Sequence, residues 1–168
     1  MRFVFIDMLA LKLIDWGEDE DYMLLGLHAT IEPYRLAYLI NKHLKMQFYR
    51  TSYDHDVTLP EYKAHYPVYK YEDIVLNINH FLVPNKHYGT PVKTSSSGGL
   101  FNDINEQEIK VTLIKEYKDV DYLIKICTDD PGYRVKEMVT SLLTIPQVIS
   151  AYQVNTLVIK HQDYLIFE

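Results

Sequence analysis

Tyr22-Met23-Leu24-Leu25-Gly26-Leu27-His28 is apolar at almost every position, and the helical and strand-like runs that follow it decide the fold class. A strand that alternated apolar and polar residues would cover only one side of a core. A continuous run of this length instead predicts a strand buried on both faces or in the centre of a sheet. Thr30 then supplies a capping hydroxyl, and Pro33 is tolerated in a first helical turn, where its missing amide has no intrahelical partner. Leu36, Ile40 and Leu44 recur every four residues with Ala37 and Leu39 beside them, while Arg35, Asn41, Lys42 and Lys45 lie elsewhere. That pattern predicts an amphipathic helix to about Leu44. Met46 to Tyr53 reads as the next strand and completes a β-α-β unit.

The last third repeats the pattern. Ile109 to Lys115 and Val120 to Cys127 read as two strands of an antiparallel hairpin, joined by a short polar connection. Asp130-Pro131 offers a capping carboxylate and a proline for the start of a helix, whose inward stripe is Val135, Met138, Val139 and Leu142. Ile145-Pro146 ends it, Val148 to Val154 is a returning strand, and Tyr164 to Phe167 is a candidate terminal one. Two β-α-β units in this arrangement predict an α+β domain with a ferredoxin-like (split β-α-β) two-layer sandwich, both helices on one face of the sheet. The whole chain, 1–168, is then a single domain with its core in 22–53 and 120–154.

Residues from about 54 to 119 form an insertion carrying an inserted β-hairpin. It opens on Asp54-His55-Asp56, read as a polar loop, and continues through a Pro-punctuated aromatic stretch. Val68 to Tyr71 and Val75 to Val83 are the two arms of the hairpin, turning near Glu72-Asp73. Thr94-Ser95-Ser96-Ser97-Gly98-Gly99 is a loop by composition.

At 168 residues, with 48% hydrophobic and 24% charged positions, the composition is that of an ordinary globular domain. The single cysteine, Cys127, excludes an internal disulfide and suits a reducing, cytoplasmic setting. Asp7 interrupts the apolar start and no small-residue cleavage site follows, so a signal peptide is not expected; nor is a membrane span, for want of any long apolar run. Acidic residues outnumber basic ones, 23 to 17, and no Lys/Arg run offers a phosphate-tracking stripe, which argues against nucleic acid. The unusual feature is 15 tyrosines against six phenylalanines and one tryptophan. Six of these tyrosines, Tyr49, Tyr53, Tyr62, Tyr66, Tyr69 and Tyr71, predict either a binding patch or the plain covering of a sheet face.

Ile114-Lys115-Glu116-Tyr117-Lys118-Asp119-Val120-Asp121-Tyr122 resembles the signature of the IPExxxVDY family of bacterial proteins, with Lys115 where the family has proline. Tyr34-Arg35-Leu36, Ile40-Asn41-Lys42, Gly99-Leu100-Phe101, Ala151-Tyr152 and Leu165-Ile166-Phe167 look like the same family in the same order. The resemblance marks Glu116, Val120, Asp121, Tyr122, Tyr34, Arg35 and Asn41 as structural or interaction residues and implies no catalytic one. It also points to a short strand at Leu11 to Asp15 and to Met8 as an alternative start. Proline at 115 would mark an edge or bulge, a constraint that lysine relaxes.

Glu116, Asp119 and Asp121 are close enough in sequence to share a proton or a metal. The simpler reading is that Asp121 binds nearby amides and that Glu116 pairs with Arg35 or Lys42. The seven histidines include neither an H-x-x-x-H helix pair nor H-E-x-x-H, and neither a nucleophile elbow nor a phosphate-binding glycine loop is present. No cofactor or metal is therefore expected. The leading expectation is a non-enzymatic binding domain, a sensor or adaptor that meets a protein partner or forms a homodimer through its sheet, with a small-molecule ligand compatible. The competing expectation is a small enzyme whose acid–base pair comes from Glu116, Asp121 and a histidine in a cleft under the insertion.

Overall fold

The computed structural model describes residues 22–91 and 109–167, a mixed α+β domain whose eight strands form one antiparallel sheet. Strand β1 (Tyr22–His28) lies between β7 (Tyr122–Cys127) and β8 (Ser150–Gln153). Beyond β7 comes β4 (Ile78–Pro84), then the long β3 (Tyr62–Asp73), and outside it β2 (Tyr49–Thr58). Beside the first half of β3 runs β5 (Lys86–Pro91), followed by β6 (Ile109–Thr112).

Helices α1 (Pro33–Leu44) and α2 (Val135–Leu142) pack side by side on one face, as their single apolar stripes require. Leu36, Ala37 and Ile40 from α1 and Val135, Met138 and Leu142 from α2 meet Leu25, Leu27, Leu82, Ile124 and Ile126 of the sheet. Full burial of a side chain such as Leu36 or Ile40 is worth roughly 1.5–3 kcal/mol. The opposite face is also covered. Residues 113–121 and the chain after β8 lay Ile114, Val120, Ile159, Leu165 and Phe167 over Leu24, Tyr66, Val68, Phe81 and Leu123. The two-layer expectation is corrected to three, and burial on both faces explains why β1 and β7 carry apolar side chains at nearly every position.

The strand that follows α1 does not join the centre of the sheet. β2 lies at its margin, although the sequence reading counts 46–53 in the core, and β4 is the strand beside β7. Asp54-His55-Asp56 is part of β2, not a loop. It reads as polar because this margin has water on one side. The hairpin of β3 and β4 is present, with its turn at Ile74–Asn77 instead of Glu72–Asp73. There Asp73 Oδ1 accepts from the amides of Val75 and Leu76, and Asn77 takes the left-handed conformation (φ 52°).

β6 and β7 do not form the expected hairpin. Both run along the same side of one bent strand, β4–β5, β6 pairing with β5 and β7 with β4. Thr112 is opposite Lys86 and Tyr122 opposite Pro84, so residues 113–121 leave the ladder at the level of Asn85. Asn85 is completely buried and satisfies both ends of the excursion. Its amide donates to Asp121 O (2.8 Å), and its carbonyl accepts from Leu113 N (2.8 Å). Its side chain donates to Tyr117 O (2.8 Å) and Val120 O (3.1 Å) and accepts from Ile114 N (2.9 Å).

Smaller corrections concern ends of elements. Thr30 does not cap α1: the N-cap is Glu32, without a side-chain bond, and Pro33 takes the first helical position. α1 ends in a left-handed Lys45 (φ 56°), and Asn41 holds the exit by donating to Phe48 O (2.9 Å) and accepting from Phe48 N (2.7 Å). Asp130 accepts from Gly132 N (2.8 Å) in a turn before α2, which starts only at Val135. Tyr164 to Phe167 is not a strand, because Gln162–Leu165 forms a 3-10 turn. The serine–glycine loop, Gly99-Leu100-Phe101 and Leu11 to Asp15 lie outside the described residues.

Replacing Asn85 with leucine strands the Val120 carbonyl and the Ile114 amide in an apolar layer and leaves the Tyr117 carbonyl only its bond from the Val120 amide. Because each orphaned buried group costs roughly 1–3 kcal/mol, Asn85→Leu is expected to lower the unfolding free energy by at least about 2 kcal/mol in urea titration.

Candidate functional site

The signature-like segment folds around Asn85, so its residues are brought together by backbone satisfaction first. Within it, Val120 is buried against Gly26 of β1, where an added Cβ would stand only 3.0 Å from Val120 Cγ2. The excursion can approach the strand this closely because position 26 lacks a side chain. The Tyr117 hydroxyl donates to Asn155 O and accepts from Asn155 N, both at 2.9 Å, tying the excursion to the chain after β8. Tyr122, at the start of β7, sends its hydroxyl through the helix side of the sheet to Ile31 O, and burial pushes its phenol pKa up.

Asp121 stands where β1, β5 and β7 meet. Its Oδ2 accepts from Ala29 N (3.1 Å) and its Oδ1 from the Lys86 ammonium (2.9 Å), which also donates to Asp119 O (3.1 Å). His28 continues the line, with Nδ1 3.8 Å from Asp121 Oδ2 and Nε2 3.4 Å from the Tyr152 hydroxyl. A carboxylate behind an imidazole is the skeleton of acid–base catalysis. Here the carboxylate is held by an amide and an ammonium, and 3.8 Å is beyond hydrogen-bond range. Glu116, the other proposed partner, is exposed and makes no hydrogen bond or ion pair among the described residues. Its expected pairing with Arg35 or Lys42 is not formed, since α1 covers the opposite face of the sheet. Asp121 thus satisfies the backbone of a distant strand end, at Ala29, and pairs with Lys86; it bonds no amide of its own turn.

The six tyrosines divide between surfaces. Tyr66 is fully buried on the face opposite the helices, and Tyr69 is buried on the helix face. Tyr62 and Tyr71 are partly buried, again on different faces. Only Tyr49 and Tyr53 are exposed; the Tyr53 hydroxyl donates to Phe167 O (3.0 Å). Alternation along β3 sends Tyr66 and Tyr69 to opposite sides, so these residues do not make one patch. Tyr34 and Arg35 are exposed on α1, while Asn41 is the helix-exit clamp.

His80, which spacing did not single out, is a buried titratable group on β4. Its ring stacks on Tyr71 (5.3 Å between centroids), meets Phe48 edge-on, and shares a 3.2 Å Nε2–hydroxyl contact with Tyr133. Burial pulls its pKa down to about 4. Burial also lowers that of His55, whose ring meets Phe167 edge-on. Among the described residues no group of three or more His, Cys, Asp or Glu side chains could hold a metal ion, and no helix is long and apolar enough to cross a membrane.

Among the described residues three margins of the sheet carry an edge with no partner strand, and they differ in protection. β2 is interrupted by a bulge between Arg50 and Asp54 and bristles with Arg50, Asp54 and Asp56. β6 carries Lys110. β8, Ser150-Ala151-Tyr152-Gln153, has no charge, proline or bulge, and no described strand pairs with its outer side. Beside it Ile149 is 69% exposed and Tyr152 39% exposed, with Leu143 exposed at the end of α2, the helix that packs next to β8. Neither this edge nor Asn85 was singled out from sequence. Pro84-Asn85 inside an apolar run was the available signal for the break in β4–β5. Compared with known protein families, curated proteins and solved structures, the chain matches none.

Two outcomes follow for the buried polar groups. Asp121→Ala leaves the Ala29 amide unpartnered and Lys86 with only the Asp119 carbonyl, and is expected to cost roughly 2–3 kcal/mol, while Asp121→Asn, which keeps an acceptor, costs less by the same urea titration. His80 stays neutral in the fold below the pH at which the unfolded chain protonates it, so its contribution falls as pH drops from 6.5 toward about 4. Wild type should lose roughly 2–3 kcal/mol more than His80→Gln between about pH 7 and about pH 4.5, read from unfolding free energies across pH.

Proposed function

We propose that this domain is a non-enzymatic interaction module, a sensor or adaptor that pairs with a second copy of itself through β8. The observation that carries the reading is the contrast between edges. Sheets avoid unwanted pairing through bulges, charges and prolines at their margins, and β8 alone among the three edges has none of these. Antiparallel β8–β8 pairing would satisfy its outward backbone groups around a two-fold axis and bring the second copy against Ile149 on one face of the sheet and Tyr152 on the other.

The fold reading belongs to the same proposal. The strand order β8-β1-β7-β4, with α2 connecting β7 to β8 across β1, supports a ferredoxin-like split β-α-β core in which β2 and β3 are inserted between α1 and β4. The resemblance to the IPExxxVDY family fits a segment whose role is architectural, as every buried member of it in this chain serves packing or backbone bonding. The lone cysteine supports a cytoplasmic setting.

Light scattering coupled to size exclusion is expected to return the dimer mass for wild type and the monomer mass for Ile149→Lys. Ile149→Lys changes an exposed side chain, so its unfolding free energy, measured per monomer at a concentration where both proteins are monomeric, should agree with wild type within about 0.5 kcal/mol. A wild-type monomer at every concentration overturns the reading.

A further inference from the structure

A second surface feature stands at the margin formed by β6, beyond β5. Tyr62, Ile109, Lys110, Thr112, Lys115 and Lys118 line an open cleft of about 320 Å³ where β6 enters the excursion. Lys115 and Lys118 are three residues apart in a 3-10 turn and the residue that ends it, a spacing that brings side chains to one side. Lys110 reaches the cleft from the edge strand β6.

None of these three ammonium groups has a carboxylate partner or hydrogen-bond acceptor among the described residues. Other described cations, among them Arg35, Lys42 and Lys136, also lack a carboxylate partner among the described residues, but they do not share a concavity with two more. The chain has a net charge of -6, so carboxylates are in excess, yet the described lining of this cleft holds three lysines and no aspartate or glutamate. Like charges lining a common cleft repel, and a bound anion removes that repulsion. Tyr62, Ile109 and Thr112 complete the lining, an aromatic, an aliphatic and a hydroxyl-bearing residue. This combination suits a phosphate group at the lysines and a flat, partly apolar ring against the tyrosine. The volume is at the small end of the range for small-molecule sites.

We infer that the cleft is a binding site for a phosphorylated small molecule of the nucleotide type, held by Lys110, Lys115 and Lys118 through its phosphates and by Tyr62 through its ring. The site names a ligand class for a sensor but does not depend on pairing at β8: the two lie at opposite ends of the strand order, and each has its own measurement. Lys115, the residue that departs from the signature-like pattern, acquires a role in it.

The test uses the full chain at low salt, titrated by calorimetry with ATP, inorganic pyrophosphate, adenosine and a single-stranded DNA decamer. ATP is expected to bind saturably, pyrophosphate more weakly, and adenosine not at all. Lys115→Gln/Lys118→Gln is expected to weaken ATP binding by about tenfold or more, since two charge-assisted contacts to phosphate are lost, with an unchanged unfolding midpoint. Absence of saturable binding by both ATP and pyrophosphate overturns the inference. So does an ATP affinity unaltered in the double variant, or a decamer that binds more tightly than ATP. Because dimer mass is read separately, failure here leaves the β8 proposal standing, and a monomer that binds ATP does the reverse.

Discussion

Five hydrogen bonds to one buried asparagine organise this domain. Asn85 interrupts the strand β4–β5 at the point where its neighbour leaves the sheet at Leu113 and returns at Tyr122. Backbone groups at such a break would be orphaned in an apolar layer, and a hydrophobic side chain at 85 could not answer them. Asparagine carries both a donor amide and an acceptor carbonyl, so one side chain meets the Tyr117 and Val120 carbonyls and the Ile114 amide together. With those contacts closed, residues 113–121 can lie flat on the sheet, and the second core layer can form.

Consequences spread along the chain from there. Val120 descends onto Gly26, Tyr117 ties the excursion to Asn155, and Asp121 holds the end of β1 through the Ala29 amide. The same few residues thus connect β1, β5, β7 and the chain beyond β8. This accounts for the density of polar and aromatic groups in the signature-like segment without invoking catalysis. Aspartate, tyrosine and asparagine are the side chains that can satisfy backbone where regular pairing stops. The exposed features, the bare β8 edge and the lysine cleft, lie at the margins, where a change in side chain leaves the core intact.

Sequence patterning revealed the two helices, the buried character of β1 and the strand pairs around them, because burial of an apolar stripe or run leaves a periodic trace. It misplaced 46–53 in the sheet, since periodicity reports that a strand exists but not which neighbour it takes. Ile109 to Lys115 and Val120 to Cys127 looked like a hairpin for the same reason: adjacent strands usually pair, and nothing local reveals that a third strand lies beside both. Asp54-His55-Asp56 passed for a loop because a marginal strand with one wet face has the composition of one. The six clustered tyrosines suggested a patch, whereas strand alternation sends Tyr66 and Tyr69 through opposite faces of the sheet.

By itself the sequence determined an α+β chain with two one-sided helices and a sheet centre apolar on both faces, because these follow from side-chain periodicity and the cost of exposing apolar surface. It also determined the acidic balance and the absence of any cysteine framework. Only the tertiary structure decided the order of the strands, the role of Asn85, the third layer, and which lysines share a cleft. Those depend on contacts between residues far apart in the chain, such as Asn85 with Val120 and Asp121 with Ala29, which no local pattern encodes.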